Sequence, residues 1–238
     1  MESKLTELVE RLKTVAGSNL KALVLYGSAV TGEFLAKHSD LNTLCIIERA
    51  GSADFERLHS VVEWWAREGN QAPFVFTFDE LSRSADVFAI ELFDIKQRHR
   101  MLFGADFLEN FDVPMRLHRL QVERELRSAW LRFRQALLAA PLKTKGHLDL
   151  MLASNSTFCT LFRHALAALG QAMPLSKREA VDGIAAITGA NPSAFHAILD
   201  LREGKKKGKD IEVEAALQTY LEFIEVATNE VDRRFDAS

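Results

Sequence analysis

Apolar side chains return every three or four residues at the start of the chain. Leu5, Leu8, Leu12 and Val15 form a helical stripe that stops at Gly17, a residue suited to the end of a helix. Ala22 to Tyr26 is a short unbroken apolar run and predicts a strand. Gly27 ends it, and Ser28 to Ala36 can open a second helix, so strand, tight turn and helix start fall within about fifteen residues. Asn42 to Ile47 is apolar and partly β-branched, which predicts a second strand inside a sheet. From Ser52 to Gly69, Phe55, Leu58, Val62 and Trp65 share a helical face, and PFVFTF (Pro73 to Phe78) has the make-up of a third strand. Helix and strand alternate three times, the order of a small mixed α/β domain.

Beyond Pro114 the strand patterns stop. Val122, Leu126, Trp130, Phe133 and Leu137 mark one long amphipathic helix, and Leu148, Leu152, Cys159, Phe162, Leu166 and Leu169 mark another. Pro174, Gly189 and Pro192 punctuate shorter helices, and Val213, Leu217, Tyr220, Ile224, Ala227 and Val231 stripe a last long one. Gly104, Asn110 and Pro114 interrupt the pattern between the halves. The expected fold is α+β: a small mixed-sheet domain over residues 1–108, then an all-α helical bundle over 114–238.

Composition narrows the function classes. At 238 residues and 47% hydrophobic the chain can bury a real core, and its net charge of -3 with a pI near 6.2 gives no global positive field for nucleic acid or an anionic membrane. The charged, amphipathic opening MESKLTELVERL lacks the apolar core of a secretory signal and no run of 18 apolar residues occurs, so a cytoplasmic protein without a membrane partner is expected. Cys45 and Cys159 read as small buried hydrophobes. Local basic groups have structural explanations. Lys96, Arg98, His99 and Arg100 suit a helix end, Arg119 to Arg134 alternate with glutamates, and Lys205 to Lys209 have no interleaved aromatics for base stacking. The histidines show no metal-site spacing, His38 reads as exposed, and of Trp64 and Trp65 one is expected in the core.

The chemistry concentrates between Leu23 and Leu44. A strand ending in Gly27-Ser28, with a helix starting at the serine, turns free backbone N–H groups and a helix dipole toward one spot, a place for phosphate. On a strand, residues two apart point the same way, so Asp40 and Asn42 would present an acid and an amide together while Leu41 faces the core.

Gly27-Ser28, an eleven-residue spacer, then Asp40-Leu41-Asn42 before an apolar run resembles the signature of the DNA polymerase β-like nucleotidyltransferase superfamily. The helical half resembles the accessory domain of its small bacterial branch, the antibiotic adenylyltransferases and kanamycin nucleotidyltransferase-like proteins. The resemblance implies transfer of a nucleoside monophosphate from a nucleoside triphosphate to a hydroxyl of a small molecule or protein. It also implies Mg²⁺ held by three carboxylates, and allows a homodimer. Asp40 matches the first carboxylate, and Gly27 and Ser28 match the phosphate turn. Asn42 stands where the family has a second carboxylate, so one negative charge is missing from a site meant for divalent ions. For the third, Asp79 and Glu91 are the candidates beside Glu80, although Asp79 and Glu80 also suit the first turn of a helix. Two readings follow: a Mg²⁺-dependent nucleotidyltransferase, or a catalytically impaired member that keeps the fold as a nucleotide-binding or interaction module.

Overall fold

The computed structural model describes residues 1–31, 41–140 and 144–236. The chain divides into two units, Met1–Pro114 and Met115–Ser238.

In the first unit, α1 (Glu2–Ala16) ends at Gly17 and leads through a 3-10 turn into β1 (Leu20–Tyr26). A short helix, α2 (Ser28–Thr31), follows, then β2 (Asn42–Ile47), α3 (Ser52–Arg67), β3 (Phe74–Phe76), α4 (Phe78–Ser84), α5 (Ala89–Gln97) and β4 (His99–Phe103). The sheet order is β3-β2-β1-β4. β1 runs antiparallel to β2 and β4, and β2 runs parallel to β3, so the sheet is mixed.

Both sheet faces are covered, which is why β1 and β2 read as continuous apolar runs. On one face, Leu23, Leu25, Leu41, Cys45 and Ile47 pack with Leu5, Leu8 and Leu12 of α1 and Leu58, Val61 and Trp65 of α3. On the other, Val24, Leu44 and Ile46 pack with Leu81 of α4 and Ala89, Leu92 and Ile95 of α5. Leu108 and Val113 are buried in that second core, so the segment from Gly104 to Pro114 packs into the first unit. Gly104 must lack a side chain: its φ is 85° and a Cβ would stand 2.3 Å from the Lys21 carbonyl oxygen.

The stretch read as one strand, Pro73 to Phe78, is shorter. Thr77 caps α4 by accepting from the Glu80 N–H at 3.2 Å, while Glu80 accepts from the Thr77 N–H at 2.8 Å. This reciprocal box ends β3 and starts a helix. β4 was masked in sequence by its charge, because DIKQRHR reads as a basic helix end. Among those residues, Lys96 donates to the Phe111 carbonyl at 2.6 Å and Arg100 forms a two-point pair with Glu2 at 3.1 and 3.0 Å.

The second unit comprises α6 (Met115–Ala139), α7 (Thr144–Ala168), α8 (Lys177–Thr188), α9 (Ser193–Arg202), a 3-10 turn (Gly208–Asp210) and α10 (Val213–Asp236). All six apolar positions expected on α10 are buried. α7 departs from the amphipathic expectation: from Phe158 to Leu166 only Thr160 is not fully buried, because its apolar residues surround the helix and place it at the centre of the unit. Phe158, Phe162, Phe195, Tyr220 and Phe223 form the aromatic core, with Phe195 stacked on Tyr220 at 4.1 Å between ring centroids. Lys205 and Lys206 are engaged with Glu203 and Asp200, at 2.6 and 3.6 Å.

A histidine pair lies inside this unit. His118 Nε2 and His164 Nδ1 are 3.1 Å apart and both rings are fully buried. Burial disfavours the imidazolium and holds His118 down at about 4. The unfolded chain therefore binds a proton at a higher pH than the folded one, so the stabilisation is complete above about 6.5 and is lost as pH falls toward 4. The expected destabilisation is about 2 kcal/mol between pH 7 and pH 5, read as a fall in melting temperature. His118→Gln should flatten that part of the profile, and a wild-type melting temperature independent of pH there would refute it.

Candidate functional site

The end of the sheet where β1 meets the start of β2 gathers the candidate residues. Tyr26 ends β1, with Asn42 as its partner on β2 and His99 as its partner on β4. Phe74, the first residue of β3, is paired with Leu44. Leu41 is buried on the α1/α3 side, so Asn42 emerges on the opposite face, the one covered by α4 and α5. The Leu41 N–H donates to Asn70 Oδ1 at 3.2 Å and secures the chain just before β2.

Gly27 makes the turn with φ 78°, and the Val30 N–H donates back to its carbonyl at 3.0 Å as α2 begins. A Cβ at Gly27 would stand 3.2 Å from Asn42 Nδ2. The glycine is needed for its left-handed backbone, and a Cβ there would also make the Asn42 amide give way by a few tenths of an ångström. Asp40 and His38 lie outside the described residues. Of Ser28, the backbone starts α2 as expected.

Tyr26 reports the charge of this corner. Burial is the main cause that pushes its hydroxyl up to about 12, and the negative charges of Asp94 and then Glu91 add to it. Glu91 and Asp94 stand three apart on α5, one helical face. Glu91 thus acts on the residue paired with Asn42. Asp79 does not. It follows β3 past Phe76, whose partner Ile46 lies toward the far end of β2 from Asn42, and on exposed α4 it is engaged by Arg83, with Arg83 Nε at 3.1 Å. The first-turn reading of Asp79 and Glu80 describes both residues.

Sequence reasoning gave no site role to Tyr26, Phe74 or Asp94, and took His99 as part of a basic helix end. His99 directs Nδ1 to the Lys96 carbonyl at 3.1 Å and Nε2 to Asp106 at 2.9 Å, and this contact holds the Asp106 carboxyl below its usual range. The readable signals were the position of Tyr26 directly before Gly27 and the spacing of Asp94 from Glu91. The tryptophans lie elsewhere: Trp65 is fully buried on the α1/α3 face and Trp64 lies under the Arg11 guanidinium, 4.4 Å from the ring centre.

Among the described residues, no cluster of three or more His, Cys, Asp or Glu side chains is arranged to hold a metal ion. The Asn42 amide and the carboxylates that act on Tyr26 carry hard oxygens, the donor type that suits Mg²⁺.

No protein-family model and no curated protein matches the chain. Among solved structures it is similar to spectinomycin adenyltransferase AAD(9) from Enterococcus faecialis, in a crystal structure with ATP and spectinomycin. The TM-score is 0.53 at 15% identity, over 98% of this chain and 99% of that one. The likeness shows the fold: an N-terminal sheet domain followed by a helical region, shared over nearly the whole length. No helix among the described residues is long and apolar enough to cross a membrane.

Gly27→Ala should destabilise the first unit by about 1–2 kcal/mol, since an L side chain in a left-handed backbone costs that much before any clash with Asn42. Thermal melting checks it, and an unchanged melting temperature would show that the turn can relax.

Proposed function

We propose that the protein is a nucleotidyltransferase that binds a nucleoside triphosphate with Mg²⁺ and transfers the nucleoside monophosphate to a hydroxyl of a small molecule. One observation carries this reading. The chain is similar in fold to an adenylyltransferase over 98% of its length, and its positive-φ turn at Gly27 lies against Asn42, next to Tyr26, on which the Asp94 and Glu91 carboxylates act. The neighbour's ATP and spectinomycin supply the substrate classes, a nucleoside triphosphate donor and a polar small-molecule acceptor.

In this reading the Gly27-Ser28 turn receives the triphosphate, its N–H groups facing the phosphate oxygens. Asp40, Asn42 and Glu91 would hold Mg²⁺, which supplies neutralisation of phosphate charge when bound. Asn42 contributes a neutral oxygen, so more of the compensation falls on Asp40 and on the α5 carboxylates. Those carboxylates are also the groups able to accept the proton of an attacking hydroxyl.

The test is calorimetric titration of a non-hydrolysable ATP analogue with and without Mg²⁺, on the wild type, Asp40→Ala and Asn42→Asp. The expected outcome is Mg²⁺-dependent binding to the wild type, loss in Asp40→Ala, and tightening of about tenfold or more in Asn42→Asp, the scale of one added charge at a metal site. Binding that needs Asn42→Asp would instead support a chain that keeps the fold without turnover.

A further inference from the structure

The described residues also hold an aromatic feature at the candidate site that the reaction scheme leaves unused. Phe74 opens the edge strand β3 and is 49% exposed, an unusual position for a phenylalanine in a sheet. Its ring lies nearly parallel to that of Tyr26, at 14° with centroids 6.3 Å apart. The two residues sit on strands separated by β2 and pair two residues apart along it, Tyr26 with Asn42 and Phe74 with Leu44, so their backbones are at least two strand spacings, roughly 9.6 Å, apart. Ring centres closer than that must lean toward each other over β2, the strand that carries Asn42 and Leu44. Tyr26 is the residue before Gly27, half-buried, with its inner side against the α4/α5 core. The inner member of the stack is thus anchored by the core and the outer member is open.

Building on the reading of the site as a nucleotidyltransferase centre, we propose that the Tyr26–Phe74 pair is a stacking shelf for the planar base of the bound nucleotide, with Phe74 supplying the contact face. The chemistry favours a base over other occupants. An exposed ring gains most from a second flat apolar surface. A neutral base also adds no charge beside Asp94 and Glu91, which would repel a further phosphate. Stacking of this kind tolerates any base, so the shelf predicts affinity for nucleotides as a class with weak discrimination among them.

The experiment compares two probes on the same protein in the presence of Mg²⁺: a non-hydrolysable ATP analogue, which has a base, and inorganic tripolyphosphate, which has none. Phe74→Ala is expected to weaken the ATP analogue about 5- to 100-fold, the span of one base–aromatic stack, and to leave tripolyphosphate unchanged. Phe74→Trp should keep the affinity and show tryptophan quenching by the nucleotide alone. Should Phe74→Ala melt early, Phe74→Leu retains apolar bulk on the strand without a ring and carries the same expectation. Equal weakening of both probes, or no weakening of the analogue where tripolyphosphate binds, overturns the shelf and leaves the phosphate turn standing. Failure of both probes to bind the wild type overturns the shelf and the nucleotidyltransferase reading together.

Discussion

The antiparallel register of β1 on β2 is the constraint on which the candidate site depends. Tyr26 opposite Asn42 brings the end of one strand to the start of the other, and Gly27 can turn there only because it has no side chain. Side chains alternate faces along a strand, so a slip by one residue would put Leu41 beside Tyr26 and bury Asn42 in the α1/α3 core. The cores forbid that slip. Leu23, Leu25, Cys45 and Ile47 fill one side while Val24, Leu44 and Ile46 fill the other, and each set has its own pair of helices to satisfy. The position of a single amide is thus held by apolar packing on both sheet faces.

That amide sits in a corner whose charge is already negative. Burial is the main cause of the raised Tyr26 hydroxyl, and the negative charges of Asp94 and then Glu91 add to it. A carboxylate at position 42 would add like charge to this corner in the metal-free protein and would be relieved only by a cation. An amide avoids the repulsion and keeps an oxygen able to coordinate. If the corner holds a divalent ion as proposed, Asn42 would trade metal affinity for stability of the metal-free protein.

Much of this was legible from pattern because strong periodicity and turn chemistry are local properties. β2 spans Asn42–Ile47 as read, Leu41 faces the core as read, and the α10 stripe from Val213 to Val231 is buried at every expected position. What escaped depends on partners distant in sequence. HRMLF is too short and too basic to read as a strand until β1 is there to pair with it. α7 read as an amphipathic helix from its stripe, yet Arg163 and His164 beside that stripe are buried too, where helices surround it. Asp79 was a fair ligand candidate by distance along the chain. The parallel pairing of β3 with β2 carries it toward the far end of the sheet, which no local pattern states. Trp64 and Trp65 drew attention by residue type, whereas the exposed ring near Asn42 is Phe74, whose place follows only from sheet order.

Fold and site tolerate change very differently, and the 15% identity to a solved adenylyltransferase illustrates it. Apolar patterning, a few glycines and helix caps are enough to rebuild a sheet with two helices on each face, and many sequences meet those demands. The site demands particular atoms. A carboxylate oxygen exchanged for an amide oxygen at position 42 alters almost nothing in the packing, since Asn42 occupies the same volume on the same strand. It changes the local charge by a full unit, which at a metal site of the proposed kind would alter the hold on a divalent ion. Likeness at this level of identity speaks for the fold, and the ligand has to be argued from the atoms of the site. In the nucleotidyltransferase reading proposed above, the charge balance among Asp40, Asn42, Glu91 and Asp94 would set how tightly the ligand is held.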